Sequence, residues 1–138
     1  MVSVVVLAHG NLAKELVNSC ELVAGKQDNL YSVEKGNDDS LQTLQEKLIV
    51  LFKTINKGCG VLILTDLFGG TPCNASVKAC KDFGKNIAII SGVNLSMLLS
   101  AVFLSNSFGD VTQLASKVAE DGKKGIIDVK QKLLNIVN

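Results

Sequence analysis

Apolar residues along this chain follow two spacings in turn, and the switches between them predict its layout. Residues 2–8 form a β-branched run that is apolar but for Ser3, as expected of a parallel strand buried on both faces. Leu12, Leu16, Cys20 and Val23 then recur at helical spacing until Gly25, a helix stop. Residues 29–34 predict a weaker strand. Residues 38–57 predict a long helix with Leu41, Leu44, Leu48, Leu51, Phe52 and Ile55 on one stripe. The cycle repeats as a strand at 61–64, a helix at 72–83 and a strand at 87–90, followed by helices at 93–104 and 111–120. Residues 125–129 predict a short final strand, and 131–137 a last helical turn or two. So late a strand has no crossover of its own, so it is expected antiparallel at a sheet edge, or on a neighbouring subunit.

Strands alternating with helices give an α/β fold with a mostly parallel, doubly wound sheet flanked by helices. With Pro 1 and no low-complexity stretch, residues 1–138 read as a single domain. A 47% hydrophobic content and a mean hydropathy of +0.32 exclude disorder. The apolar runs at 1–8 and 60–64 are far shorter than the roughly 20 residues a membrane-spanning helix needs. No basic region precedes the first run and no cleavage site follows it, so no signal peptide is expected.

Charge removes another class of function. Lys+Arg 14 against Asp+Glu 13 leaves +1, there is no basic stripe, and with Trp 0 and a single Tyr little is available to stack on bases. Nucleic acid is not an expected partner. Cys20, Cys59, Cys73 and Cys80 have no CxxC spacing and only one histidine to join them, so no metal site is expected. Cys20 and Cys80 read as small core residues, and the compartment as reducing and cytoplasmic.

In open parallel sheets, ligands gather beyond the carboxyl ends of the strands. Three segments fall there: His9-Gly10-Asn11, Asp66-Leu67-Phe68-Gly69-Gly70-Thr71-Pro72, and Ser91-Gly92-Val93-Asn94. His9 is the sole histidine. If the first and third strands are neighbours, His9 and Asp66 lie side by side. One reading of the pair is structural, with Asp66 capping a loop and His9 bonded to backbone. The other is chemical. A carboxylate bonded to Nδ1–H fixes the tautomer and leaves the Nε2 lone pair outward, ready to attack phosphorus. The Gly70 and Thr71 amides and the Thr71 hydroxyl then offer donors at a helix start. No metal or other cofactor is called for.

The glycine-rich loop by itself is a weak signal, being neither a P-loop nor a GxGxxG fingerprint. Cys73, at a helix start, is a rival nucleophile without a second base. Phe68 fits either a core position or a partner-facing rim. Asn74 fits a backbone-satisfying role.

Taken together, "LAHGNLA", "LTDLFGGTPCNAS" and "SGVNLSML" resemble the enzyme IIA component of the mannose-type (mannose/fructose/sorbose) bacterial sugar phosphotransferase system, across essentially the whole chain. The resemblance implies a parallel sheet with one antiparallel edge strand exchanged in a homodimer, a role that residues 125–129 suit. It implies a phosphoryl group taken from the phosphocarrier protein HPr onto His9 and passed to a IIB component, alongside membrane IIC and IID components. Asp66 carries over as the carboxylate beside the histidine, Gly70 and Thr71 as phosphate-proximal residues, and Asn94 as pocket lining. Gly10, Asn11, Leu12, Leu67 and Phe68 are the candidate rim for partners. Many relatives continue into a IIB domain, so this sequence is either a stand-alone IIA protein or a IIA domain cut at its linker, and the lack of a Pro/Ala-rich tail favours the first. Two other readings stay open: the phosphoryl-donor subunit of dihydroxyacetone kinase, and a non-catalytic α/β domain whose anion site merely holds phosphate.

Overall fold

A computed structural model describes residues 1–55, 58–84 and 86–137. Four strands, β1 (Ser3–His9), β2 (Leu30–Lys35), β3 (Val61–Thr65) and β4 (Ile87–Ser91), form one sheet in the order β2-β1-β3-β4. Every pairing is parallel. Between and after them run α1 (Leu12–Ala24), α2 (Leu41–Ile55), α3 (Thr71–Phe83), α4 (Leu95–Phe103), α5 (Val111–Lys124) and α6 (Val129–Val137).

The continuous apolar run in β1 is explained by two cores, one on each sheet face. Val4, Val6 and Ala8 pack with Leu62, Leu64, Leu98, Leu114 and Val118 on the side of α1, α4 and α5. Val5 and Leu7 pack with Ile63, Leu44, Leu48, Phe52 and Ala79 on the side of α2 and α3. Successive strand residues point to opposite faces, so a strand between two helical layers has no polar side. All five residues from Val4 to Ala8 have no exposed surface. Phe52 anchors the second core edge-on to Phe83, with centroids 5.5 Å apart. Truncating such a buried ring typically costs about 3–5 kcal/mol.

The predicted elements are present with shifted ends. Of the helix expected over 38–57, α2 takes in Leu41–Ile55, and positions 56–57 lie outside the described residues. One element differs in kind. Residues 125–128 form no strand, and the chain turns instead into α6. The reason is local. The Asp128 carboxylate accepts the Gln131 N–H at 3.0 Å, and the Asp128 carbonyl accepts from Lys132 at 3.0 Å, a helix start. A lone five-residue strand would leave its backbone unpaired, whereas the capped helix bonds its own. The spacing Asp128-x-x-Gln131 is a capping-box pattern that the apolar reading of Ile126 and Ile127 hid.

The chain reverses its direction of strand addition between β1 and β3, since β2 is laid on one side of β1 and β3 on the other. Open α/β sheets place their crevice at such a switch point. His9 and Asp66 both lie there.

Candidate active site

His9 is the last residue of β1, and Asp66 directly follows β3. Register pairs Leu7 with Thr65, so both chains leave the sheet together. Gly10 then turns the backbone at φ +58°, and its N–H donates to the Lys35 carbonyl at 2.9 Å. Glycine is suited to this left-handed turn, which sends the chain into α1 and leaves the imidazole at the sheet edge.

The two side chains meet. His9 Nδ1 lies 2.8 Å from Asp66 Oδ2, and the same oxygen accepts the His9 backbone N–H at 3.0 Å. Asp66 Oδ1 accepts the Leu67 N–H at 3.0 Å. A carboxylate only accepts, so the geometry places a proton on Nδ1, and in the neutral ring the lone pair is then on Nε2. Nε2 has no partner among the described residues. The His9 side chain is 43% exposed and that of Asp66 only 11%. The base is accessible while its carboxylate is shielded behind it.

Partial burial pushes the Asp66 carboxyl up, but the backbone and ring N–H groups of His9 outweigh it and hold its pKa below the ordinary value. Asp66 is therefore ionised at neutral pH, as a partner for a ring gaining positive charge must be.

The loop after Asp66 opens α3. Gly69 has φ +80°, and Gly70 precedes the helix in extended conformation. The Gly70 N–H points back to the Leu67 carbonyl at a long 3.4 Å, so it is weakly held as a donor. The Thr71 hydroxyl has no partner among the described residues. Pro72 at the helix start has no N–H to waste there. Asn74 donates to the Gly69 carbonyl at 3.2 Å and so ties down the loop.

The segments that follow His9 and Asp66 carry exposed apolar side chains: Phe68 is 90% exposed, Leu67 60% and Leu12 44%. Of the two positions the sequence allows for Phe68, the structure shows the surface one. Gly10 and Asn11 are exposed too, and the Asn11 side chain makes no capping bond to α1. Cys73 is buried, which removes it as a nucleophile open to a partner.

Asn94 differs from the rest. Its side-chain oxygen caps α4 by accepting the Met97 N–H at 2.9 Å, and its amide donates to the Gly122 carbonyl of α5 at 3.3 Å. It lines a small hollow with Ser91, Gly92 and Lys123, but both its polar atoms are committed to joining helices. Gly122 belongs to the same joint, because a Cβ there would overlap Met97.

With this geometry established, comparison decides the family. The family model described as PTS system fructose IIA component matches residues 3–119. This chain belongs to that family. Among curated relatives, it is 36% identical over 104 residues to the PTS system fructose-specific EIIA component of Bacillus subtilis (strain 168), spanning 75% of this chain and 70% of that one. It is 28% identical over 131 residues to the PTS system mannose-specific EIIAB component of Escherichia coli (strain K12). That match takes in 95% of this chain but only 40% of the EIIAB protein. The crystal structure of phosphotransferase system component EIIA from Streptococcus agalactiae superposes with a TM-score of 0.85 at 32% identity, over 95% of this chain and 99% of that one. The phosphotransferase-system IIA fold expected from the motifs is thus the one found. No helix among the described residues is long and apolar enough to cross a membrane.

Proposed function

We propose that this IIA component is a phosphoryl carrier. His9 Nε2 accepts the phosphoryl group of phospho-HPr and passes it to a IIB component, coupling to sugar uptake and phosphorylation through membrane IIC and IID components. The observation that carries this reading is the ring held through Nδ1 by Asp66 at 2.8 Å, with Nε2 free at an exposed edge.

In the acceptance step, the Nε2 lone pair forms a bond to phosphorus in line as the bond to the donor breaks. The donor keeps that electron pair. Positive charge on the ring rises next to the ionised Asp66, which stabilises it. In this reading the Thr71 hydroxyl and the Gly70 and Thr71 N–H groups at the start of α3 bond the phosphoryl oxygens. Delivery to IIB is the same displacement in reverse, with the incoming base on IIB. Since the chain hands over a group and does not hydrolyse it, an open site suits this chemistry. Phe68, Leu67 and Leu12, on the segments that follow His9 and Asp66, give donor and acceptor one shared apolar landing. A cytoplasmic location goes with these partners. No sugar is assigned, because sugar specificity lies with the membrane components and not with a IIA chain.

The test is transfer itself. Phosphoenolpyruvate, enzyme I and HPr should yield an acid-labile, base-stable label on this chain, and a cognate IIB should remove it. An unlabelled chain would favour the anion-binding domain. Label handed on to a dihydroxyacetone kinase and not to a IIB would favour the kinase-donor reading.

A homodimer belongs to the same proposal, supported by an unbalanced pair of sheet edges. On β2, Lys47 Nζ donates to the Glu34 carbonyl at 3.2 Å, and a lysine guarding a strand edge resists pairing. On the other edge, every residue of β4 is only half-buried. Beyond α5, Ile126 is 80%, Val129 63% and Leu133 56% exposed. A second copy covering these residues would remove them from water. Sedimentation should give a dimer for the whole chain and a monomer once it is shortened after Lys124.

A further inference from the structure

We infer that Gly70 is a positioning residue for His9: the missing side chain at this position sets the tilt of the imidazole and so the direction in which Nε2 meets phosphorus. The consequence for transfer rests on the phosphocarrier reading above, whereas the geometry does not.

The two adjacent glycines are glycine for different reasons. Gly69 sits at φ +80°, which L side chains rarely adopt, and a Cβ there would meet open space. Backbone conformation alone accounts for it. Gly70 sits at φ −74° and ψ 169°, an extended conformation open to any residue. Its backbone does not ask for glycine. What does is the ring, because a Cβ at position 70 would stand 3.2 Å from His9 Cε1. Cε1 is the carbon between the two ring nitrogens, so pressure there turns both.

Neither neighbour can give way freely. Nδ1 is held at 2.8 Å by Asp66 Oδ2, which also takes the His9 N–H at 3.0 Å, while Asp66 Oδ1 takes the Leu67 N–H at 3.0 Å. Ring and loop thus share one carboxylate. Withdrawing the new Cβ the other way drives it toward Leu67, whose Cβ and carbonyl oxygen both lie at 3.6 Å. An added methyl meets both the ring and its own loop. The imidazole is held by its bond at Nδ1, in an orientation that leaves no room for a methyl beside Cε1.

Alanine at position 70 keeps the backbone N–H, so Gly70→Ala separates this steric role from hydrogen-bond donation to phosphate. His9 being the sole histidine, one set of imidazole resonances reports the ring. The experiment compares wild type, Gly70→Ala, Asp66→Ala and the double variant by imidazole nitrogen and proton shifts, thermal melting and rate of label transfer from phospho-HPr.

Gly70→Ala should fold, shift the imidazole resonances and slow acceptance by about tenfold or more, the scale of a misaligned reacting group. In the Asp66→Ala background, where the ring is free to swing aside, adding Gly70→Ala should cost less than about twofold, a non-additivity expected only if the two act on one ring. Unchanged imidazole signals and rate in Gly70→Ala would overturn the proposal. Equal slowing in both backgrounds, or failure of both to fold, would overturn it too. If wild type takes no label from HPr, the phosphocarrier reading falls, and the imidazole shift still decides Gly70.

Discussion

Two places on the same rim of the sheet, the paired ends of β1 and β3 and the end of β4, look alike in sequence and behave differently in the structure. At the paired ends of β1 and β3, His9 and Asp66 bond to each other and leave Nε2 and the Thr71 hydroxyl unspent among the described residues. At the end of β4, Asn94 has both polar atoms spent, one on α4 and one on α5. Each end has a strand, a glycine turn and a helix start. What separates them is surplus: chemistry is available where hydrogen-bonding capacity exceeds what the fold consumes.

The strongest test of that contrast is His9→Ala. It should abolish all phosphoryl labelling while circular dichroism and melting stay near wild type, since the ring is half-exposed and outside both cores. Retained labelling would mean that the free nitrogen is not the acceptor.

Asp66→Ala should come next, slowing acceptance by about 10–100-fold without ending it, because the carboxylate orients the ring and forms no bond to phosphorus. Its stability effect has a sign. The folded-state pKa of Asp66 lies below the ordinary value, so the unfolded chain binds more protons in the interval between the two. The contribution is complete above the ordinary carboxylate range and is lost as pH falls through the folded value. Urea midpoints of wild type and Asp66→Ala should therefore separate at neutral pH and converge in acid. A constant gap would show that charge has no part in the pairing.

Thr71→Val should slow transfer by about tenfold, the scale of one hydrogen bond to a charged oxygen of about 1.5 kcal/mol. Smallest of all in its effect on rate, Asn94→Ala should transfer as wild type does and lose about 1 kcal/mol of stability, as a missing helix cap does. Chemical denaturation and the labelling assay on one sample distinguish the two outcomes. A transfer defect in Asn94→Ala would erase the contrast between the strand ends.

Much of the fold is legible in the residues alone. The unbroken run through Ala8 fits only a strand with a helical layer on each side, and Gly10 and Gly69 mark where backbones turn. The meeting of His9 with Asp66, 57 residues apart, needs one topological premise, that β1 and β3 are neighbours. Asn94 is harder, because a capping asparagine and a pocket asparagine are identical in sequence, and only Gly122, remote in the chain, reveals the joint. Over residues 125–129, Ile126 and Ile127 suggest a strand, while the helix signal that prevails lies in Asp128 and Gln131. The role inferred for Gly70 is hidden because a glycine present for space reads the same as one present for φ.

The imidazole ends β1 and its carboxylate directly follows β3, so their separation is set by the ladder between these two strands and not by a hinge. If the chain carries phosphoryl groups as proposed, a relay mounted in this way has no arm to swing from donor to acceptor. Each partner would come to a fixed post, and the pace of the exchange would fall to arrival and departure. Tuning such a carrier for a new partner would then mean repainting its rim while the post stays where the sheet put it.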